Sequence, residues 1–494
     1  MNVLLIYPHW PETYWSFSHA LQFQGKRAAY PPLGLLTVAS MLPKHWNKRL
    51  VDSSVRPLSN ADLNWADIAM LSGMLVHEAE LIEILDRCRK AGARTIVGGP
   101  VASSLEHLRE HADHVVIGEA EDVMPQLVSD IENGCPAAVY QAKELPQLGT
   151  TPLPDLSLIE PRYYSTMAVQ YSRGCPFKCE FCDIIEIYGR IPRTKPVDHV
   201  LAELEQLYVN NWRGPVFFVD DNFIGNKRNV KQMLPAVAEW NHQRGMPFRF
   251  FTEASINMAD DEELLQMMRR AGFVSVFIGI ETPDEASLKE AQKLQNTKRD
   301  LLDCVRHIQS YGIEVMAGFI VGFDSDTDDV FDRQVNFIEK SAIPLAMVGL
   351  LQALPGTQLY RRLKREGRLV QYGDGNSMST MLNFLPKMDP ERLIEGYESI
   401  LKRIYNHDAY YGRVREFLKR YTPAHHSDLR FEDYITLGRS MLKQGVLTRG
   451  RVAYWKLFFD ALTQYPRAFG TAITLAMMGY HLQVITERVC GQSE

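Results

Sequence analysis

Short apolar runs rich in β-branched residues alternate with helical stretches through most of this chain, and that alternation limits the fold more than any other feature. Before residue 130, the pattern predicts strands at residues 3–7, 49–52, 68–72, 95–98 and 115–117. Strands that are apolar almost throughout and separated by helices are typical of a parallel sheet covered on both faces. We therefore predict an α/β protein that opens with a doubly wound, Rossmann-like domain over residues 1–145.

Glycine and proline residues follow the predicted strands at the edge of the sheet where doubly wound domains bind their ligands. The segments are Tyr7-Pro8-His9, Ser72-Gly73-Met74, Gly98-Gly99-Pro100 and Gly118-Glu119. Glycines in such loops let a ligand approach the backbone closely. No G-x-G-x-x-G fingerprint opens the domain, so a nicotinamide or flavin dinucleotide is not favoured.

A second set of strands follows a linker. Residues 146–161 form this linker, at the end of a stretch, 133–161, with five prolines and no apolar period. The later strands are predicted at residues 167–171, 216–219, 248–252, 274–280, 314–321 and 346–352. Six strand–helix units predict a partial parallel α/β barrel over residues 162–371, with its chemistry at the carboxyl ends of the strands.

Beyond residue 371 the strand signals fade, and residues 372–494 are predicted to form a helical domain. Its last apolar stretch, 468–485, contains His481 and Gln483 and is too short and too polar to predict a membrane span. One interpretation of this stretch is a helix packed on the barrel. The other is a role at an apolar substrate or a membrane surface.

The composition excludes several classes of protein. The 494 residues carry a formal net charge of −6 without a long basic run, which argues against a nucleic-acid partner and favours a small or apolar substrate. The opening MNVLLIYPHW has no lysine or arginine before a short apolar run, so we expect no signal peptide and a cytoplasmic protein. Four of the seven cysteines are isolated in the sequence, and this pattern does not indicate a disulfide framework.

The other three cysteines, Cys175, Cys179 and Cys182, lie in RGCPFKCEFCD at a C-x3-C-x2-C spacing after a predicted strand. Thiolates this close in sequence can bind one soft metal centre. A structural zinc site needs a fourth ligand, and the nearest downstream histidine is His199. A 4Fe–4S cluster with three protein thiolates fits better and leaves one iron open for chemistry. On spacing alone, zinc and a chance arrangement remain alternatives.

The cysteine triplet, with Phe181 before its last cysteine, resembles the signature of the radical S-adenosylmethionine (SAM) enzymes. The resemblance implies a partial (β/α)6 barrel in which Cys175, Cys179 and Cys182 are the catalytic ligands of the cluster, whose open iron binds SAM. Cleavage of SAM would then give a 5'-deoxyadenosyl radical that abstracts hydrogen from the substrate. An external one-electron donor, such as flavodoxin or ferredoxin, is implied as well.

Four further segments at predicted strand ends resemble SAM-binding elements of this family: VDDNF (219–223), FTEAS (251–255), GIET (279–282) and GFIVGF (318–323). The resemblance implies a SAM contact for Phe181, Asp220, Asp221, Glu253, Gly279, Glu281, Gly318 and Ile320. Each segment has a structural alternative, which is a helix N-cap for Asp221 or Asn222, a buried carboxylate for Glu253 and close packing for the glycines.

The chain as a whole resembles the radical SAM subfamily with an N-terminal cobalamin-binding domain and a helical C-terminal region, through YPPLG (30–34) and GGP (98–100). The resemblance implies that cobalamin, as methylcobalamin, binds near Tyr7, Pro8, Tyr30, Pro32, Gly34, Ser72, Gly73, Gly98, Gly99, Pro100, Val101, Gly118 and Glu119. Two features depart from relatives. The D-x-H-x-x-G signature is absent, so we expect no imidazole on the lower face of the cobalt, and Val101 stands where relatives often carry histidine.

Within the subfamily, YSRGCPFKCEFCDI, VFFVDDNFIGNKR and GFIVGFDSDT are similar to the group of hopanoid and bacteriochlorophyll methylases. This implies a C-methyltransferase that acts on an unactivated carbon of an apolar, polycyclic substrate, either hopanoid-like or a tetrapyrrole, with peripheral membrane contact as an option. Three alternatives stay open. They are a cobalamin-assisted cyclase or rearrangement enzyme, a radical SAM enzyme with an empty N-terminal domain, and an iron–sulfur protein that binds or senses without turnover.

Overall fold

The computed structural model describes residues 1–376, 378–423 and 430–491, which form two six-stranded parallel sheets followed by a group of helices. The predicted fold class is confirmed. The central strands of both sheets are buried and apolar, because helices cover faces that would otherwise meet water.

The first sheet has the strand order β2-β1-β3-β4-β5-β6. Its strands are β1 (Asn2–Tyr7), β2 (Asn47–Asp52), β3 (Ile68–Ser72), β4 (Arg94–Gly98), β5 (His114–Ile117) and β6 (Val139–Gln141). Its helices are α1 (Ser18–Gln24), α2 (Leu33–Met41), α3 (Asn60–Trp65), α4 (Glu78–Lys90), α5 (Pro100–Ser104) and α6 (Met124–Glu132). The chain reverses its direction across the sheet between β1 and β3, and such a switch point opens a crevice for ligands beyond the strand ends.

The second sheet is the partial barrel, with the order β7-β10-β11-β12-β13-β14. Strands of this region are β7 (Met167–Val169), β8 (Ser172–Arg173), β9 (Arg193–Thr194), β10 (Pro215–Phe218), β11 (Arg249–Ala254), β12 (Phe273–Glu281), β13 (Glu314–Val321) and β14 (Ala346–Leu350). Its helices are α7 (Ile184–Ile187), α8 (Val197–Val209), α9 (Lys227–Gln243), α10 (Glu262–Ala271), α11 (Glu285–Glu290), α12 (Leu301–Ser310), α13 (Val330–Ser341) and α14 (Gln358–Arg365).

A segment of the N-terminal domain closes the gap between β14 and β7, the two outer strands of the barrel. At the β14 side, the Tyr14 hydroxyl donates a hydrogen bond of 3.0 Å to the Val348 carbonyl. At the β7 side, the Thr166 amide donates to the Ala29 carbonyl at 2.9 Å. The first thirty or so residues of the chain therefore contribute to both domains.

The C-terminal region is helical, as predicted. It comprises α15 (Pro390–Ile404), α16 (His407–Leu418), α17 (Phe431–Leu442), a π-helical turn (Lys443–Leu447), α18 (Arg451–Gln464) and α19 (Phe469–Val489). The segment Pro466–Val489 is long and apolar enough to cross a membrane, yet 61% of its most apolar window is buried inside the protein. It packs against α1, α16 and α18, so it is the central helix of this region.

Arg413 of α16 links the C-terminal helices to the barrel, and its side chain is completely buried. It donates to the Ile343 and Ile404 carbonyls at 2.8 and 2.9 Å and pairs with Glu339 at 2.5 Å. We expect Arg413→Met to lower the free energy of unfolding in urea by about 3 kcal/mol, because it removes this donor from the buried Ile343 and Ile404 carbonyls.

The matched control is Arg403→Met, which removes an exposed ion pair with Asp332. We expect this substitution to lower the free energy of unfolding by less than about 1 kcal/mol, because exposed ion pairs are weak. Equal effects of the two substitutions would contradict the role of Arg413.

Candidate active site

The three clustered cysteines lie on a loop, 174–192, whose two ends are held together by the antiparallel strands β8 and β9. At its base, the Cys175 amide donates to the Gly189 carbonyl at 3.2 Å. Gly174 has a φ of 93°, and a Cβ there would lie 2.8 Å from the Gly189 carbonyl oxygen. A glycine is therefore required where the loop closes.

Two carboxylates after β10 hold the incoming arm of this loop. Asp220 accepts the amides of Tyr171, at 3.3 Å, and Ser172, and Asp221 accepts the Gly174 amide at 3.4 Å. Burial raises the pKa of Asp220 to about 7 and that of Asp221 to about 6, although the amide donors oppose the shift. Both residues were predicted to contact SAM, and the structure places them behind the cysteine loop at the barrel mouth.

The sulfur atoms lie among donors and positive charge. The Asn222 amide nitrogen is 3.6 Å from Cys175 Sγ, and the Gln295 amide nitrogen is 3.7 Å from Cys179 Sγ. Although burial opposes it, Glu281 and the thiol groups of Cys179 and Cys182 raise the pKa of Lys293 above its ordinary value. These groups stabilise thiolates, which are the metal-binding form of cysteine.

This donor set fits a 4Fe–4S cluster. Among the residues that the structure describes, no three His, Cys, Asp or Glu side chains converge as ligands of one metal ion. A 4Fe–4S cluster with one open iron would take three protein thiolates, which is the number that this loop supplies. Burial raises the pKa of Cys175 and Cys182, a penalty that iron removes because the metal holds the thiolate form.

The end of β12 brings a carboxylate and an ammonium group against a glycine. Glu281, with a φ of 64°, accepts from Lys293 Nζ at 2.5 Å. A Cβ on Gly279 would lie 2.3 Å from Glu281 Oε1 and 2.6 Å from Lys293 Nζ. Position 279 therefore requires glycine, because the ion pair approaches the backbone too closely for a side chain. Lys293 was missed by sequence reasoning, because it lies twelve residues beyond Glu281 in an irregular segment.

The remaining predicted SAM residues lie on the same side of the barrel. Burial and the nearby Asp221 and Asp220 raise the pKa of Glu253 to about 8, so its carboxyl is mostly protonated at neutral pH. A Cβ on Gly318 would lie 3.0 Å from the Phe277 ring. Phe181 and Ile320 are half-buried against one apolar cluster beside the cysteine loop. Their contacts with SAM stay predictions.

The predicted cobalamin residues mostly meet at one edge of the first sheet. Tyr7, Ser72 and Gly98 end neighbouring strands there, and Gly118 directly follows β5. Gly99 has a φ of 82°, and a Cβ on it would lie 2.3 Å from Ser72 Oγ, so the turn requires glycine.

Other members of the predicted set differ in their exposure. A Cβ on Gly34 or Gly118 would point into open space, with no contact within 4 Å, and Gly73, Pro8 and Pro32 are buried. Tyr30 and Pro100 are half-buried at the same edge. Val101 is fully buried in the apolar core, and its amide donates to the Gly73 carbonyl at 3.1 Å.

His77, which sequence reasoning missed, gives this edge a buried donor. Its Nδ1 accepts the Met74 amide at 3.0 Å, so in the neutral ring the hydrogen is on Nε2. Nε2 is buried and has no partner among the described residues. The ring packs edge-on against Tyr7 and Trp10. An orphaned donor among aromatic rings at this edge of the sheet fits a large ligand with amide side chains, as cobalamin has.

A buried ion-pair network joins the first sheet to the cysteine loop. Glu119, at the end of β5, pairs with Arg173 of β8 at 2.5 Å and with Arg193 of β9. Glu121 pairs with Arg173 at 2.8 Å. The Glu119 side chain, predicted to lie near cobalamin, is therefore directed at both arms of the cysteine loop. Arg173 and Arg193 were missed because their partners lie more than fifty residues away.

Three family models match the chain in consecutive regions. The B12 binding domain matches residues 27–128, the Radical SAM superfamily matches residues 169–338, and a domain of unknown function, DUF4070, matches residues 357–494. The two modules expected from the sequence are therefore both present, in the expected order.

Relatives extend over nearly the whole chain. It is 42% identical to an uncharacterized methyltransferase, sll1242, of Synechocystis sp. over 97% of this chain and 91% of the relative. It is 34% identical to the hopanoid C-2 methylase of Rhodopseudomonas palustris, over 99% of this chain and 94% of that protein.

Among solved structures, the cobalamin-dependent SAM radical enzyme OxsB with aqua-cobalamin and SAM bound has a TM-score of 0.64. It is 16% identical to this protein and covers 99% of this chain and 79% of its own, so the likeness shows a shared fold. With two relatives above 30% identity over almost full length, the chain belongs to the family of cobalamin-dependent radical SAM methyltransferases. Its cofactors are a 4Fe–4S cluster, SAM and cobalamin.

Proposed function

We propose that this enzyme methylates an unactivated carbon of an apolar, polycyclic substrate, either hopanoid-like or a tetrapyrrole. One observation carries the proposal: the barrel interior is lined by flat aromatic side chains next to the predicted SAM residues. The 34% identity to a hopanoid C-2 methylase supports the same substrate class.

The aromatic lining comes from neighbouring barrel strands. Phe217 of β10 stacks on Phe251 of β11 with ring centroids 4.6 Å apart and planes at 2°. Tyr30 packs edge-on against Phe217 at 5.9 Å, and Trp15 packs against Phe277 at 4.9 Å. Because side chains alternate along a strand, Phe251 shares a face with Glu253, and Phe277 shares one with Gly279. The lining therefore adjoins the predicted SAM site.

The charge state of the interior agrees with an apolar substrate. The raised pKa of Glu253, about 8, leaves a mostly neutral carboxyl among these rings at pH 7. Rings with neutral polar groups bind flat hydrocarbons with little desolvation cost, whereas a charged carboxylate would be expensive to bury.

Each part of the chain then has a role in the proposed reaction. When bound, the cluster with SAM supplies radical chemistry, and methylcobalamin supplies the methyl group. Cys175, Cys179 and Cys182 hold the cluster, while Asn222 and Gln295 donate to the sulfurs. The aromatic lining orients the substrate and excludes water.

Two further parts of the proposal concern partners. We propose a flavodoxin or ferredoxin as the external electron donor. A hydrocarbon substrate of this kind partitions into lipid, so the proposal includes peripheral contact of a cytoplasmic enzyme with a membrane.

We expect Phe251→Gln to lower kcat/KM for the polycyclic substrate about 10- to 100-fold, mainly through KM. The substitution removes a stacked ring and places an amide where apolar surface is bound, a change worth about 1–3 kcal/mol. The measurement is product formation in an anaerobic assay over a range of substrate concentrations.

The matched control is Phe251→Leu, which keeps the surface apolar and is expected to retain most activity. Iron content and substrate-free SAM cleavage should be unchanged in both variants. If Phe251→Gln left KM unaltered, the barrel lining would not be the substrate site.

A further inference from the structure

Helix α17 packs on the rest of the chain through one side, where Leu437 and Met441 are half-buried against the core, and leaves a second apolar stripe exposed. Ser440 is its only buried residue among those that the structure describes, and Phe431 and Tyr434 are 79% and 59% exposed. Ile435 and Leu442 are exposed as well, and the four residues lie three, four and seven positions apart along one side of the helix. Helices in proteins owe most of their stability to an apolar face that packs on something.

Helix α18 continues this apolar surface. Val452, Phe459 and Leu462 are 76%, 56% and 48% exposed and lie on one side of the helix. The opposite side, which includes Tyr454, Leu457 and Phe458, is buried in the C-terminal core. The helix is therefore apolar on both sides, with one side turned to solvent.

The two exposed stripes meet at the connection between the helices. Trp455 Nε1 donates to the Gly445 carbonyl at 2.9 Å, and the Trp455 ring stacks on Phe459 at 5.7 Å. Val446 and Leu447, next to Gly445, are 53% and 72% exposed. We call the exposed apolar residues between 431 and 462, which lie on α17, the π-helical turn and α18, the docking face. Apolar patches of this kind mark interaction sites on soluble proteins.

The charge of the residues around the docking face indicates which kind of partner it binds. Residues 430–467 contain seven lysines and arginines and three acidic residues, a net charge of +4 in a chain of −6, and all of the basic residues except Arg439 and Lys443, which contact α1, are outside that contact. Asp460 is paired with Arg415 at 2.5 Å. Arg451 and Lys456 are exposed beside Val452 and Phe459 on α18. Basic residues around an apolar, aromatic face are typical of helices that lie in the surface of an anionic membrane.

A second copy of the chain suits the face less well. In a twofold dimer the same patch meets itself, so the positive charges would face each other. Like charges across an interface are costly.

We infer that α17, the π-helical turn and α18 dock the enzyme on an anionic lipid bilayer, with the docking face inserted at the headgroup level. The inference deepens the proposed function, on which it rests for the origin of the substrate in lipid. It assigns a role to the C-terminal domain, and it leaves α19, a long and apolar helix, in the protein core.

The position of the docking face relative to the barrel supports this role. Helix α17 packs on α1, where Arg439 donates to the Phe23 carbonyl at 3.1 Å and Lys443 to Gln22 at 3.1 Å. Trp15, three residues before α1, contacts Phe277 in the barrel interior. The membrane face and the aromatic lining are therefore joined by one short segment of chain.

The test is flotation of the full-length holoenzyme with phosphatidylcholine vesicles that contain phosphatidylglycerol, and with vesicles of phosphatidylcholine alone. We expect binding to the anionic vesicles that Leu447→Ser with Val452→Ser weakens at least tenfold. Arg451→Glu with Lys456→Glu should remove the preference for the anionic vesicles. The matched control is Val209→Ser with Val370→Ser, which replaces residues of similar exposure, 68% and 60%, elsewhere on the surface.

Absence of wild-type binding would overturn the inference, and so would equal loss in the control variant. A dimer in light scattering that Leu447→Ser with Val452→Ser converts to a monomer would assign the face to a second copy instead. Vesicle binding requires no SAM or substrate. A failure of docking is therefore distinguishable from a failure of the proposed methylation, which is measured with detergent-dispersed substrate.

Discussion

Replacement of Cys175, Cys179 or Cys182 by alanine is expected to abolish SAM cleavage, with 5'-deoxyadenosine formation reduced at least about 1,000-fold. Each substitution removes one of three thiolate ligands, and Asn222 and Gln295 cannot replace it because the groups they direct at the sulfurs are amide nitrogens, which donate hydrogen bonds and do not bind iron. The measurements are iron and sulfide content after anaerobic reconstitution, together with the absorbance of the cluster. Both should fall with the activity.

The controls for this prediction are Cys135→Ala and Cys304→Ala. These cysteines lie outside the loop, and both variants should reconstitute as the wild type does. A loop variant with full iron content and normal SAM cleavage would contradict the assignment of the cluster ligands.

Substitution of Glu119 by glutamine is expected to lower the free energy of unfolding by about 3–5 kcal/mol and to reduce iron loading. The side chain is almost completely buried and carries the negative charge that Arg173 and Arg193 share. Its loss leaves two buried guanidinium groups with too little compensating charge. Both arginines are in the arms of the cysteine loop, so the loop itself should loosen. Thermal unfolding and iron content measure the two effects.

The comparison for Glu119 is Glu160→Gln, which breaks an ion pair with Arg162 between two exposed side chains. We expect no measurable loss of stability for this variant, because ion pairs between exposed side chains are weak. If Glu119→Gln lowered stability but left iron loading intact, the network would join the domains without positioning the cysteine loop.

Much of the fold could be predicted from periodicity, because parallel sheets covered by helices leave a strong apolar signal in each strand. Strands predicted at 68–72 and 314–321 have the observed bounds Ile68–Ser72 and Glu314–Val321. The two-residue arms β8 and β9 are too short to show such a signal. The segment that closes the barrel beside Tyr14 was also missed, because its role depends on one long-range hydrogen bond to Val348.

Some residues of the candidate site could likewise be predicted from the sequence, and others could not. Local spacing suffices for Cys175, Cys179 and Cys182, which one loop carries. It fails for Lys293, which pairs with Glu281 only because β12 and the following irregular segment fold back on each other. It also fails for the direction of a side chain, since Glu119 lies at the predicted strand end but is turned to the barrel. Tertiary contacts of this kind have no signature in a single sequence.

The apolar stretch 468–485 shows how burial decides between two interpretations of one composition. Residues such as Ala472, Leu475 and Leu482 are buried between neighbouring helices, which agrees with the packed-helix interpretation. The exposed apolar surface instead belongs to α17 and α18, whose sequences are more mixed in polarity.

The most direct test of the proposed reaction is an anaerobic incubation of the reconstituted enzyme with methyl-labelled SAM, cobalamin, a reductant and a hopanoid or tetrapyrrole acceptor. Methyl transfer with radical activation consumes one SAM for each purpose, so we expect similar amounts of 5'-deoxyadenosine and S-adenosylhomocysteine, with the label in the product. Formation of 5'-deoxyadenosine with an altered but unlabelled product would contradict methyl transfer and favour a cyclase or rearrangement. Failure to form 5'-deoxyadenosine at all would contradict the radical enzyme itself.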